Sequence, residues 1–412
     1  MSKNKIRLID LFAGCGGLAD GFEQTGNFET IAAIDWEREP CNTLIGRLKA
    51  KWKIADAERK VLCYDIQKTN DLIEGWDSGS LFGKSEGLDK LVKEYGNVDV
   101  VIGGPPCQAY SLAGRIRDEH GMRNDYRNFL FESYLRIVGH YKPKIIVFEN
   151  VPGILSAQPG GISIIDRIRA EFEHYGYVIT PNLRENALLD LTCFSVPQKR
   201  KRVIIIALKK DSFDAPNELI TEFYSGILEK WRNHEKKTVK DAIGDLPKFI
   251  PCPTVQHING RKYSHLPTSS NILNHSPRFH SKRDIDIFKT LAHDIESKQY
   301  QYISIKALHK LYTEKTGKNS NIHKYYVLRW NEPSNTIPAH LFKDGLRHIH
   351  PESLQARTLT VREAARLQTF ADDYVFTGSM TDQYKMIGNA VPPAFANTLG
   401  KAINELFTHI KH

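Results

Sequence analysis

Nine residues, Gly103-Gly104-Pro105-Pro106-Cys107-Gln108-Ala109-Tyr110-Ser111, set a thiol among residues that are poor core builders. They follow Val98-Asp99-Val100-Val101-Ile102, an apolar run that reads as a buried strand. The glycines let backbone and ligand approach closely, and the prolines fix the shape of the loop. Cys107 is thereby presented on a stiff turn at a strand's carboxyl end, where open α/β sheets place their sites. Sulfur held this way is available for covalent chemistry. A small buried cysteine in a structural turn is the competing reading, and the surrounding residues decide between the two.

Three other strand ends carry groups suited to a nucleoside. Asp10-Leu11-Phe12-Ala13-Gly14-Cys15-Gly16-Gly17 ends a first strand and opens a helix. Its glycines allow a tight turn, but it has neither the Gly-x-Gly-x-x-Gly spacing of dinucleotide binders nor the Lys-Ser/Thr of a phosphate cradle. Asp35-Trp36 follows Ile31–Ile34, and Asp65-Ile66 follows Val61–Tyr64. An acid at the second strand end can accept both ribose hydroxyls. Trp36 can stack on adenine, and Asp65 can accept from its exocyclic amine. Each acid alone reads equally well as a helix cap. Three at one edge favour a ribonucleoside pocket.

Phe148-Glu149-Asn150-Val151, after Lys144–Val147, places Glu149 across the crevice from Cys107. A partly desolvated glutamic acid there can donate a proton to a ring nitrogen near neutral pH. In Gln198-Lys199-Arg200-Lys201-Arg202, strand alternation puts Gln198, Arg200 and Arg202 on one face, aimed inward at a carboxylate, phosphate or carbonyl. Ile387-Gly388-Asn389-Ala390-Val391-Pro392-Pro393 reads as a glycine-containing turn before the last helix.

The elements that position these groups are a sheet and its crossovers. Ile6–Leu11, Thr30–Ile34, Val61–Tyr64, Val98–Ile102, Lys144–Phe148, Tyr177–Thr180 and Arg202–Leu208 are predicted strands. Leu18–Thr25, Leu88–Tyr95, Arg127–His140 and Ile162–Tyr175 are predicted helices. The alternation predicts a doubly wound, mostly parallel α/β sheet. The 412 residues suit two domains. The regular pattern breaks after Leu208, and residues 209–356 read as short strands and loops. Order returns with a helix over Thr360–Thr369, where Thr360 and Glu363 have capping-box spacing, and with another over Pro393–Phe407. We expect a catalytic domain over 1–208, a second domain over 209–370, and a returning segment over 371–412.

The net charge is +9, and residues 209–356 hold 23 Lys/Arg against 16 Asp/Glu, with 11 of the 16 histidines. A basic block of this kind predicts a polyanionic partner, nucleic acid first. Six scattered cysteines without a CxxC suggest reduced thiols and no zinc site. Asn274–His280 offers two histidines without a cysteine or carboxylate at ligand spacing, so no metal is expected. Mean hydropathy is −0.41, and no apolar run reaches membrane-spanning length. A cytoplasmic location with no membrane partner is expected.

In order and spacing, DLFAGCGG, GGPPCQAYS, ENV, QKRKR and GNAVPP resemble the DNA (cytosine-5)-methyltransferases of prokaryotic restriction-modification systems. RTLTVREAARLQTF (357–370) and WNEPSNTIPAH (330–340) extend the likeness, leaving 209–325 as the stretch without family sequence. The resemblance implies a Rossmann-like methyltransferase domain with a smaller, irregular target-recognition domain. It implies methyl transfer from S-adenosyl-L-methionine to carbon 5 of a cytosine flipped from double-stranded DNA. By that likeness Cys107 is the nucleophile at carbon 6, Glu149 bonds ring nitrogen 3, and Arg200 and Arg202 hold the base and the catalytic side chains. The cofactor pocket maps onto Asp10, Phe12, Gly14, Gly16, Gly17, Asp35, Trp36, Asp65, Ile66, Pro106, Leu130, Asn389 and Val391. Asp35 stands where the family often has glutamate, one methylene longer. Arg261, Lys262, Arg278, Lys282 and Arg283 are candidate DNA contacts, unsorted between bases and phosphates. A monomer is expected, and the resemblance implies a cognate restriction endonuclease acting on the same site. The alternatives are a tRNA cytosine-5 methyltransferase, whose Cys-Phe-Thr signature has only Cys193-Phe194-Ser195 as an imperfect counterpart, and a non-catalytic DNA-binding protein of the same fold.

Overall fold

The computed structural model describes residues 5–77, 83–105, 128–158, 161, 163–267, 272–319, 324–343 and 345–411. They form two compact units. The first comprises Met1–Phe194, Arg200–His234 and Ala390–His412; the second comprises Ser195–Lys199 and Glu235–Asn389.

The first unit is built on one sheet. Its strands are β1 (Ile6–Leu11), β2 (Phe28–Asp35), β3 (Val61–Cys63), β4 (Val100–Gly103), β5 (Ile145–Asn150), β6 (Tyr177–Ile179), β7 (Leu188–Asp190) and β9 (Lys201–Lys209). Their order is β3-β2-β1-β4-β5-β9-β6, with β7 on β9. β1 to β5 pair in parallel, and β9 runs antiparallel to β5, β6 and β7. Strand centres are nearly continuous runs of buried Val, Ile and Leu, as a sheet covered on both faces requires. The order reverses between β1 and β4, so the crevice of a doubly wound sheet opens at the carboxyl ends of those strands.

The Gly17–Glu23 helix packs on the Pro393–Leu406 helix, which returns the chain's end to this unit. At Gly21 a β-carbon would collide with Ala396 and the Pro393 carbonyl, so the close helix contact requires glycine.

The boundaries differ from those expected at 208 and 370. The Pro216–Glu222 helix packs on β6 and β9, so the chain covers the first sheet as far as His234. The Met380–Asn389 helix packs on Val361–Leu367, which keeps the second unit intact to Asn389. This helix also contains Ile387–Asn389, where a turn was expected.

The second unit is richer in helix than its composition suggested. It holds helices Lys282–Glu296 and Ile305–Thr316, each capped by a serine, Ser281 and Ser304. They pack on one another around Phe288, Leu291, Leu308 and Leu311. An antiparallel ribbon, β10 (Phe249–Ile258) with β11 (Arg261–Pro267), turns through Asn259 and Gly260, both at positive φ. β8 (Gln198–Lys199) pairs with β12 (Ser334–Asn335). The expected capping box is present: Thr360 and Glu363 satisfy each other's backbone N–H groups at the start of Val361–Leu367.

Buried histidines make this unit sensitive to acid. Burial lowers His265 to about 4, and His280 and His350 to about 3. Unfolded histidine titrates near 6.5. Above that value both states are neutral and the unit is fully stable. Below it the unfolded chain binds protons that the native state refuses, so each such histidine costs about 1.4 kcal/mol per pH unit until its native value is reached. Lowering the pH from 7.5 to 5.5 should therefore cost the second unit roughly 4 kcal/mol. Hydrogen exchange by mass spectrometry should show peptides over 261–267 and 345–363 losing protection while β1 and β4 keep theirs. Equal loss in both places would refute the assignment.

Candidate active site

The carboxyl ends of β1, β2 and β3 form one edge of the first unit. Gly14 and Gly16 adopt positive φ of 55° and 87°, and Phe12 is forced to 63°. The turn they make is fastened by Asp35, at the end of β2. One carboxylate oxygen of Asp35 accepts from the Gly14 N–H at 2.9 Å, the other from the Glu37 N–H at 2.9 Å. Burial raises the Asp35 carboxyl to about 6. Nothing lies within 4 Å of where a Gly14 β-carbon would sit, so the turn's backbone faces open space. Beside it Trp36 is 60% exposed, which is costly for an indole. Asp65 caps the turn after β3 by accepting from the Gln67 N–H, and Ile66 is buried beneath it. Asp10 is fully buried, and burial pushes its carboxyl well above the ordinary carboxylate range. A bond with the Ala19 backbone opposes that rise, which ties β1 to the helix that follows.

The second edge group sits at the ends of β4 and β5. Pro106 and Cys107 lie outside the described residues, but the root of their loop does not. At Gly104 a β-carbon would stand 2.5 Å from Glu149 Oε2. The Asn150 side-chain amide donates to the Pro105 carbonyl at 3.3 Å. At Gly103 a β-carbon would run into the Leu11 carbonyl of β1. Backbone bars a β-carbon at Gly103, whereas one at Gly104 would push the Glu149 carboxylate aside, and Glu149 Oε2 packs directly on the strand end from which the Cys107 loop departs. The other oxygen, Oε1, is 2.8 Å from Arg202 Nε. Strand register explains the pairing: Glu149 lies opposite Ile204 on β9, two residues from Arg202. Burial lowers the affinity of the Arg202 guanidinium for its proton, and Glu149 opposes that shift.

Gly104→Ala should displace the Glu149 carboxylate while leaving the core untouched. We expect activity to fall by about 10²-fold with a thermal midpoint within about 2 °C of wild type. A midpoint loss as large as the activity loss would mean that the glycine serves folding alone.

Arg200 is buried, and its Nη2 donates to the Ala390 carbonyl at 3.0 Å, so it fastens the chain next to Val391. Gln198 belongs to the second unit, where its amide reaches the Leu367 carbonyl and Gln368, while Arg200 and Arg202 belong to the first. Leu130 and Val391 are buried in the first unit; Asn389 is exposed at the end of a helix in the second. The sequence reading missed Asn150 and Gly104 as positioning residues, although both lie inside motifs that it singled out. Among the DNA candidates, Arg278 is committed to the Phe342 and Leu341 carbonyls and to the Tyr384 ring, and Arg283 is paired with Asp284. Among the described residues no cluster of three or more His, Cys, Asp or Glu could hold a metal, and no helix is long and apolar enough to cross a membrane.

A mostly parallel sheet with acids at three strand ends, and a carboxylate packed on Gly104 at the end of a fourth, defines a Rossmann-like methyltransferase domain. The chain belongs to the C-5 cytosine-specific DNA methylase family, which it matches over residues 6–405, and it is therefore a DNA cytosine methyltransferase. It is 32% identical to the type II methyltransferase M.Bpa9945I of Bacillus paralicheniformis, over 97% of this chain and 98% of that protein. It is 30% identical to the type II methyltransferase M.DdeI of Desulfomicrobium norvegicum, over 98% and 90%. Its fold is similar to that of an E. coli prophage-encoded DNA modification methyltransferase, with a TM-score of 0.61 at 22% identity over 98% of this chain and all of that one.

Proposed function

We infer that the chain transfers a methyl group from S-adenosyl-L-methionine to carbon 5 of a cytosine flipped out of a specific duplex DNA sequence. We read it as the modification enzyme of a type II restriction-modification pair, working as a monomer. The packing of Glu149 on the root of the Cys107 loop carries this reading, because covalent activation needs an acid and a thiol on opposite sides of one ring.

The residues around Gly14 fit the cofactor. The open space at the Gly14 backbone admits a ligand in close contact, Asp35 can accept from ribose, and exposed Trp36 can cover adenine. S-adenosyl-L-methionine bound there supplies an electrophilic methyl group. The chain's own residues do the rest. Cys107 sulfur adds to carbon 6, which makes carbon 5 enamine-like and nucleophilic. Glu149 bonds ring nitrogen 3 and draws electron density from carbon 6, with Arg202 orienting the carboxylate. Loss of the carbon-5 proton then expels the sulfur. A base stacked inside duplex DNA cannot reach this thiol, so flipping is required.

DNA contact falls to the β10–β11 ribbon. A two-stranded ribbon fits the major groove. Arg261 and Lys262 stand exposed beside its turn, and no carboxylate pairs with either among the described residues. Val255 and Ile258, at 47% and 44% exposure, add apolar surface that no core uses. Ile258 opposes Arg261 on one face, and His257 opposes Lys262 on the other. We expect Arg261→Ala or Lys262→Ala to weaken duplex binding by about tenfold or more. Loss that is uniform across sequences with a shallower salt slope marks a phosphate contact; relaxed methylation specificity marks a base contact. Unchanged binding in both variants would remove the ribbon from the interface.

Transfer of tritiated methyl to duplex DNA and to tRNA tests the substrate. Labelling confined to duplex DNA is expected, with the target cytosine read by bisulfite sequencing; labelling of tRNA alone would overturn the reading.

A further inference from the structure

A second feature of the first unit lies outside the catalytic groups. Beyond β3, the edge strand of the sheet, a cavity of about 850 Å³ is lined by Arg38, Cys41, Ile45, Val61, Cys63 and Trp76, among others. Two thiols converge on it from different elements. Cys41 lies in the first turns of the Arg38–Ala50 helix, and its Sγ reaches the Asp35 carbonyl at 3.7 Å. Cys63 ends β3 and is the register partner of the same Asp35. The two side chains pack in one cluster, and both line the cavity.

The pair is chemically asymmetric. Cys41 is buried and Cys63 is half-exposed. Interaction between the two sulfurs raises the Cys41 thiol and lowers that of Cys63, and Arg38 lowers Cys63 further. Asp35 opposes ionisation of both thiols, and Glu37 opposes that of Cys41. Cys63 is therefore the sulfur whose ionisation is favoured and the more exposed of the two, and Cys41, which also lines the cavity, is buried beside it.

We propose that Cys41 and Cys63 form a dithiol site that reacts through this cavity with low-molecular-weight disulfides, and that closing it weakens cofactor binding at Asp35. The Cys63 thiolate attacks one sulfur of the small disulfide, whose S–S bond breaks and releases a thiolate. Cys41 then gives its proton to that thiolate and attacks the Cys63 sulfur, expelling the second small molecule as a thiolate, which takes up the proton that Cys63 lost to solvent on ionising. Two protein thiols are oxidised, and one disulfide is reduced to two thiols. Closure removes the Cys41 donor from the Asp35 carbonyl and pulls on the strand partner of Asp35, whose carboxylate holds the Gly14 turn. The coupling half rests on the proposed cofactor pocket.

The test uses the full chain carrying Cys107→Ser, treated with glutathione disulfide. Peptide mass spectrometry should find Cys41 linked to Cys63 and a chain lighter by two hydrogens. With Cys41→Ser added, one glutathionyl group should accumulate on Cys63; with Cys63→Ser added, Cys41 should stay unmodified. Calorimetry with S-adenosylhomocysteine should show affinity about tenfold lower in the linked form, restored by dithiothreitol. Adducts confined to Cys193 or Cys252, or no link at all, would overturn the site. A link without a change in affinity would overturn the coupling. Failure of the reduced protein to bind S-adenosylhomocysteine would refute the cofactor pocket instead, with the linkage result standing apart from it.

Discussion

Cys107→Ser is expected to abolish methyl transfer, with a loss of about four orders of magnitude or more, and to leave duplex DNA retention within about threefold of wild type. A hydroxyl at this position is a far weaker nucleophile at neutral pH than a thiol, part of which is ionised. Without addition at carbon 6, carbon 5 of cytosine has little tendency to attack a sulfonium methyl group. DNA affinity comes from phosphate and base contacts elsewhere, so it should survive. Single-turnover transfer to a duplex and filter retention of the same duplex separate the two quantities. Duplex DNA containing 5-fluorocytosine adds a direct readout, since fluorine cannot leave as the carbon-5 proton does. Wild type should remain covalently attached through denaturing electrophoresis, and the serine variant should not. A serine variant with transfer near the wild-type rate would remove Cys107 from its role.

Much of the first unit was legible because its signals are local. β1 runs over Ile6–Leu11 as its apolar run predicts, and β9 is announced by Arg202–Leu208. The Arg38–Ala50 helix was missed for a physical reason. Its buried stripe is narrow, chiefly Cys41, Leu44 and Leu48, on an otherwise polar helix whose third residue is proline. The helices of the second unit were hidden among Lys, His and Asn, and their amphipathic stripes emerge only once Phe288 and Leu291 meet Leu308 and Leu311. At the site, residue types and order were readable, but pairings across strands were not. Glu149 and Arg202 are 53 residues apart, and nothing local says that β9 returns antiparallel to β5 and sets one beside the other. The glycines of the Pro-Pro-Cys loop were read as freedom for a ligand to approach. The structure gives Gly104 a more specific reason, the Glu149 carboxylate lying where a β-carbon would be.

The core of the second unit should be nearly as intolerant of substitution as Cys107, because it is built around a buried charge pair. Arg357 has no exposed surface and Glu363 almost none. The guanidinium Nη1 donates to Glu363 Oε2 at 2.7 Å and Nη2 to Oε1 at 2.6 Å. Its other N–H groups go to Gln355 and the Thr358 carbonyl, so all five donors are used. Burial alone would raise the Glu363 carboxyl, but Arg357 overrides it and holds that group well below the usual range. The same carboxylate accepts from the Thr360 N–H and so closes the capping box of the following helix. Removing either charge strands the other in a dry interior. Arg357→Leu and Glu363→Leu should each cost about 3–5 kcal/mol. The double variant Arg357→Leu/Glu363→Leu should recover much of that loss, since two apolar side chains need no partner, although the Thr360 N–H would still lack its side-chain acceptor. Urea unfolding of the full chain, followed by hydrogen exchange within 345–367, gives the three values. Single variants within about 1 kcal/mol of wild type, or a double variant as damaged as the sum of the singles, would show that the pair is not what organises this core.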